Sequence, residues 1–152
     1  MKKENYLVTF TLDDREYAFP LMSVQRVVRA AEITPLPGAP GFILGAAEVQ
    51  GRAIPVVNTR ALLALPQKEV THIDQFILTR TRKRAYAFVA DEIIGVVDCT
   101  YAEFSGNDGT ANSPNPIRGV ARVDGRTILI HDPESLLSAE ETECVGYAHA
   151  TA

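Results

Sequence analysis

The chain has 152 residues, 46% apolar and 22% charged, with a formal net charge of −4. It is long enough to bury roughly 70% of its unfolded surface without disulfides, as one compact unit or two very small ones. Its acidity argues against nucleic acid or an anionic membrane surface as the main partner, and no stretch approaches the roughly 18 apolar residues of a membrane span.

The N-terminal MKKENYLVTF has no sustained apolar region and does not read as a signal peptide. Cys99 and Cys144 have no metal-ligand spacing and read as two reduced thiols rather than a disulfide framework. In chain order, Tyr6–Leu12 alternates with Val8, Phe10 and Leu12 on one face and predicts a strand. Asp13-Asp14-Arg15 is a polar turn, and Glu16–Leu21 is the return strand, its Pro20 marking an edge or a bulge. Ser23–Val28 fits either a short helical turn or a strand, three valines weakening the helix.

Three prolines, Pro35, Pro37 and Pro40, then bias the connector toward extended backbone. Gly45 opens an apolar run. Gly51-Arg52 sits where a two-residue turn would lie, between Ala46–Gln50 and Ala53–Val57. Asn58 stands at a helix N-cap position ahead of Ala61, Leu62, Leu63 and Leu65, and Pro66 stops that helix.

The chain then repeats itself. A shift of about 74 lays Ile43–Leu63 on Ile117–Leu137 without a gap. The identities include Ile43/Ile117, Gly45/Gly119, Ala47/Ala121, Val49/Val123, Gly51/Gly125, Arg52/Arg126 and Ile54/Ile128, and end with Leu62/Leu136 and Leu63/Leu137. The second copy carries stronger local signals. Asp124-Gly125 is a better hairpin turn than Gln50-Gly51, and Asp132-Pro133 is an N-cap followed by proline at the first helical position. A shift of about 69 lays Tyr6–Val28 on Gln75–Val97, matching Arg15/Arg84, Tyr17/Tyr86, Ala18/Ala87, Phe19/Phe88, Val27/Val96 and Val28/Val97. The second connector is longer, and its Ser105–Pro116 reads as an exposed loop. The whole chain, 1–152, therefore predicts one mainly β unit of two similar subdomains, about 6–66 and 74–138. Each is a small closed barrel, and the pair is followed by an acidic tail at 139–152 that extends the last helix. Ile93, Val96 and Val97 are expected to line the second core or the crease between barrels.

Catalytic chemistry finds little support. His72 lies in the linker and His149 in the tail, while His131 ends a strand and reads as structural. Ser113 and Ser135 lack a nucleophile elbow. No His, Cys or carboxylate pair has metal-ligand spacing, and no Gly-rich phosphate loop opens a helix. The basic run Arg80-Thr81-Arg82-Lys83-Arg84 spans a predicted hairpin turn. It reads as a solvated turn or a docking patch, with Tyr86 and Phe88 beside it in the core. A duplicated fold without site chemistry points to a binding module.

The residues resemble the CheW-like family, the adaptors of bacterial chemosensory arrays and the matching domain of the kinase CheA. The short V-x-E-V element reads Val24-Gln25-Arg26-Val27, and the I-T-x-L-P-x-A-P connector reads Ile33-Thr34-Pro35-Leu36-Pro37-Gly38-Ala39-Pro40. The G-V-x-N-x-R-G-x-I-x-P-V-x-D-L-R stretch falls on Gly45 to Arg60. In the second half, Ala87–Val97 and Ile117–Leu137 match the family's strand pair and its closing hairpin and helix.

The resemblance implies two five-stranded SH3-like barrels, no enzymatic activity, no cofactor and no metal. It implies a cytoplasmic adaptor, recruited to membrane receptor arrays, that couples methyl-accepting chemoreceptor tips to a CheA-type histidine kinase. Nucleic acid and direct membrane insertion are not among the implied partners. The alternative is a divergent module that scaffolds a different signalling complex. The implied partner interface is Val24, Arg26, Gly45, Glu48, Gln50, Gly51 and Arg52. Departures fall there: the family's Glu is Arg26, its Arg is Gln50, the Asn before it is Glu48, and the Asp of D-L-R is Asn58. Arg26 and Glu48 are expected to form a swapped ion pair.

Overall fold

Alternating apolar side chains build the hairpins from which the molecule is assembled. The computed structural model describes residues 6–99, 103–105 and 117–143. The first half contributes β1 (Tyr6–Leu12), β2 (Arg15–Pro20), β3 (Val24–Arg29), β4 (Ile33–Thr34), β5 (Ile43–Val49), β6 (Arg52–Val57) and α1 (Thr59–Leu62). The second contributes β7 (Gln75–Arg80), β8 (Ala85–Ala90), β9 (Glu92–Asp98), β10 (Glu103–Ser105), β11 (Ile117–Val123), β12 (Arg126–His131) and α2 (Pro133–Glu143). The ambiguous Ser23–Val28 resolves into a 3-10 turn at Leu21–Ser23 followed by β3.

Two sheets form, in the orders β10-β11-β12-β2-β1-β9 and β3-β7-β8-β6-β5-β4. They do not follow the two sequence halves: the first hairpin of each half joins the sheet of the other. The repeat explains why this exchange is silent in the sequence. Ala18 faces Ile130 in the parallel β2–β12 pair, and Ala87 faces Val56 in the parallel β8–β6 pair. The repeat matches Ala18 with Ala87 and Val56 with Ile130, so the exchanged hairpins meet the same register at both sites.

Each sheet has six strands, one more than the five expected of each barrel. β3 pairs with β7 at one margin of its sheet and β4 pairs with β5 at the other, and only residues 30–32 separate them in the chain. One bent strand therefore closes the ring, as an SH3-like barrel requires. β9 and β10 stand at the corresponding margins of the other sheet, against β1 and β11.

Successive strand residues point to opposite faces, so each hairpin feeds two cores. Ala47, Val49, Ile54, Val56, Phe76, Leu78, Ala87 and Val89 fill one barrel. Leu7, Ala18, Cys99, Ala121, Ile128 and Ile130 fill the other. The largest core lies between the barrels and gathers Phe10, Leu12, Tyr17, Phe19, Val57, Ile77, Tyr86 and Phe88 with Leu136 and Leu137 of α2. At its centre the repeat-equivalent rings of Phe19 and Phe88 meet edge to face, 5.1 Å apart. A residue touching its own counterpart is the mark of a two-fold interface, here within one chain.

The N-caps form as expected. The Ala61 N–H donates to Asn58 Oδ1 (3.1 Å). The Glu134 N–H and the Ser135 hydroxyl donate to the two carboxylate oxygens of Asp132 (3.3 and 3.0 Å). α1 is one turn long and ends at Leu62 rather than running to Leu65. Val96 is 58% exposed and lines neither a core nor a buried crease, whereas Ile93 packs on the inter-barrel core. The register shift of β9 against β1 between Thr9 and Phe10 leaves Ile94 outside the pairing and also exposed. Ser105 is in β10, and most of the expected loop, with Cys144 and the end of the tail, lies outside the described residues.

Candidate partner surface

The β5–β6 hairpin carries four of the seven expected interface residues at or beside its tip. Gln50 (φ 52°) and Gly51 (φ 79°) form its turn, the doubly left-handed geometry of a two-residue hairpin. The turn is thus Gln50-Gly51, and Arg52 is the first residue of β6. A Gly51-Arg52 turn would have forced an arginine, rather than glycine, into the second left-handed position. Glu48, Gln50, Gly51 and Arg52 are exposed.

The remaining three lie elsewhere. Gly45 is buried beneath β4, and a Cβ there would collide with the backbone carbonyl of Thr34. It serves the close approach of β4 to β5 and presents nothing outward. Val24 is half-buried against the inter-barrel core. Arg26 is exposed on β3. Since β3 and β5 do not pair, the expected Arg26–Glu48 partnership is not formed: among the described residues no hydrogen bond or ion pair joins them. The charge exchange at these two positions is therefore not a swapped salt bridge.

The strongest polar constellation was not singled out from the sequence. Arg60 on α1 is 7% exposed. Its Nη2 donates to both carboxylate oxygens of Asp91 (2.9 and 2.7 Å), and its Nη1 donates to Asp13 Oδ1 (2.8 Å) and to the Pro66 carbonyl (3.2 Å). The Asp13 N–H donates to Asp91 Oδ2 (2.8 Å), and the Asp91 N–H to the Thr11 carbonyl (3.0 Å). Burial disfavours the guanidinium charge, but the hydrogen bonds to Asp13 and Asp91 outweigh it and raise the Arg60 pKa. Burial likewise pushes the Asp91 carboxyl up, and the Asp13 N–H and Arg60 overcome it, holding Asp91 below its ordinary value. Asp91 is the single residue between β8 and β9, where the chain passes from one sheet to the other. The triad therefore ties α1, the β1–β2 turn and this crossing together. The visible signals were Arg60 at the end of the family's D-L-R match and Asp91 within the second-half strand pair.

Beside Arg60 lies a cavity of about 10 Å³, edged by Leu12, Asn58, Thr59, Lys68 and Asp91, room for one water at most. Among the described residues, no group of three or more His, Cys, Asp or Glu is placed to hold a metal, and no helix is long and apolar enough to cross a membrane. His131 is buried at the end of β12, 5.7 Å from the Tyr17 ring.

Two equivalent barrels joined over an aromatic core, with exposed hairpin tips, define a duplicated two-barrel interaction module. The family model for the CheW-like domain matches residues 6–141. The chain belongs to the CheW-like domain family, which makes it a chemotaxis adaptor of the CheW kind. It is 27% identical to the chemotaxis protein CheW of Thermotoga maritima over 135 residues, 89% of each chain. It is 24% identical to the chemotaxis protein CheW of Rhizobium meliloti, over 90% of each. The scaffolding protein TtCheW of Thermoanaerobacter tengcongensis shares the fold with a TM-score of 0.73, at 20% identity, covering 84% of this chain and 88% of that one.

Proposed function

We propose that the chain works by binding alone, joining a CheA-type histidine kinase to the cytoplasmic tips of methyl-accepting chemoreceptors. It acts in the cytoplasm and reaches the membrane only through those receptors. The observation that carries this reading is the extent of the family match, which runs through both barrels from β1 into α2. A complete pair of barrels offers two separate outer surfaces and can hold two partners at once.

One of those surfaces is the β5–β6 tip, with Glu48, Gln50 and Arg52 as contact residues and Gly51 setting the turn. Arg26 on β3 and the half-buried Val24 belong to a neighbouring stretch of the same barrel, and Gly45 supports the surface from beneath. Replacing a family arginine with Gln50 and a family glutamate with Arg26 alters charge at exposed positions. Such changes tune partner choice and association rate more than stability.

Co-elution on a sizing column tests the proposal, using the intact chain, the kinase of the same organism and a receptor-tip fragment. The expected result is a ternary complex that Arg26→Glu and Gln50→Arg each alter in affinity while melting is unchanged. Failure to bind either partner, with capture of a different signalling protein, would replace this reading with that of a divergent scaffold.

A further inference from the structure

We infer that the β7–β8 turn is a docking knob for an acidic segment of a partner protein. The turn places Arg80, Arg82, Lys83 and Arg84 within five residues of a chain whose net charge is −4, and all four are exposed. Its shape is fixed from inside. Thr81 Oγ1 accepts from the N–H groups of Lys83 (3.2 Å) and Arg84 (3.3 Å) and donates to the Arg84 carbonyl (3.1 Å), while the Thr81 N–H donates to that same carbonyl (3.0 Å). The cationic tip is therefore presented on a preset backbone, which lowers the ordering cost of binding.

At the tip, Arg82 adds little to the fold. Arg82 is 94% exposed, and its Nε lies 3.9 Å from Glu134 Oε1, a contact of the kind that contributes almost nothing to stability. The equivalent turn in the first half carries Asp13, which is tied to buried Arg60. One copy of the turn holds the protein together, and the other concentrates like charges at its tip. Crowded cations repel one another, and carboxylates of a docked segment relieve that repulsion.

The size and setting of the patch favour an acidic polypeptide over a nucleic acid. A phosphate backbone is engaged by charges that track along it, whereas this knob is one turn wide on an acidic molecule. A few carboxylates spaced along a helix or loop match it. This docking does not depend on the identity of the kinase or receptor.

The test measures fluorescence anisotropy of a labelled short polyglutamate peptide, and of a duplex RNA of equal charge, with the intact chain at low and physiological salt. The expected result is salt-sensitive binding of the peptide in preference to the RNA. Arg82→Gln combined with Lys83→Gln should weaken it about tenfold with a smaller salt dependence, and Arg82→Glu with Lys83→Glu should abolish it, both with unchanged melting. The control Arg29→Gln, exposed at the end of β3 opposite Gln75 and away from the knob, should bind as the wild type does. Peptide binding that survives both double variants, no peptide binding by the wild type, or preference for the RNA would overturn the inference.

Discussion

The two hairpin turns that the repeat equates have opposite fates. Asp13 in the β1–β2 turn meets Arg60 of α1, whose side chain is 8% exposed, at 2.8 Å. Its counterpart, Arg82 in the β7–β8 turn, faces Glu134 of α2 at 3.9 Å in the open. The repeat matches Asp13 with Arg82 and Arg60 with Glu134, so the pairing is kept with its charges inverted. The third member differs most: Asp91 at one chain crossing corresponds to Met22 at the other, which is 70% exposed. Duplication built two equivalent joints, and only one became a latch. A buried charge is held only where its partners are fully supplied. At the other joint the Arg82–Glu134 contact stays largely exposed to water.

The aromatic centre common to both joints gives the largest predicted effect. Phe19→Ala or Phe88→Ala should each lower stability by about 4 kcal/mol, read by chemical denaturation. The double variant should lose less than the sum, because both changes delete the same ring contact; strict additivity would mean the two rings are independent. Next comes the latch. Arg60→Met leaves Asp91 with only the more distant Lys68, 4.0 Å away, and should lower stability by about 3 kcal/mol. The same pairing sets an acid limb. Asp91 titrates lower folded than unfolded, so its contribution is present above the ordinary carboxylate range. It is lost as pH falls through the depressed folded value, below about pH 4. Asp91→Asn should flatten that limb.

Gly51→Val should lower stability by about 1–2 kcal/mol through the left-handed backbone alone, since a Cβ there meets nothing within 4 Å; wild-type melting would show that the turn relaxes to another type. The smallest effect belongs to the open joint: Arg82→Gln should shift stability by less than about 0.5 kcal/mol. A loss comparable to that of Arg60→Met would erase the contrast between the two ends.

Much of this architecture was legible in the sequence. Alternation in Tyr6–Leu12 and its partner strands assigned Phe10, Tyr17 and Phe19 to one face, and that face became the inter-barrel core. Asn58 and Asp132 were visible as caps because N-capping is local chemistry. The exchange of hairpins between sheets was not legible, because Ala18 and Ala87 find equivalent registers in either arrangement. The latch was hidden for a related reason: Asp13, Arg60 and Asp91 are far apart in the chain, and each alone resembles a surface charge. The Arg26–Glu48 pairing failed because complementary sign says nothing about which margins of a sheet meet. Of the residues the resemblance pointed to, Glu48, Gln50, Gly51 and Arg52 stand exposed at or beside the hairpin tip, whereas Gly45 is buried and serves the close approach of β4 to β5.

The most direct test of the adaptor account is kinase control itself. A CheA-type kinase and receptor-bearing membranes of the same organism are assayed for autophosphorylation with and without the chain. The account predicts that kinase activity follows receptor stimulus only when the chain is present, and that the chain alone has no turnover. Stimulus-controlled activity in its absence, or a kinase indifferent to its addition, would contradict it.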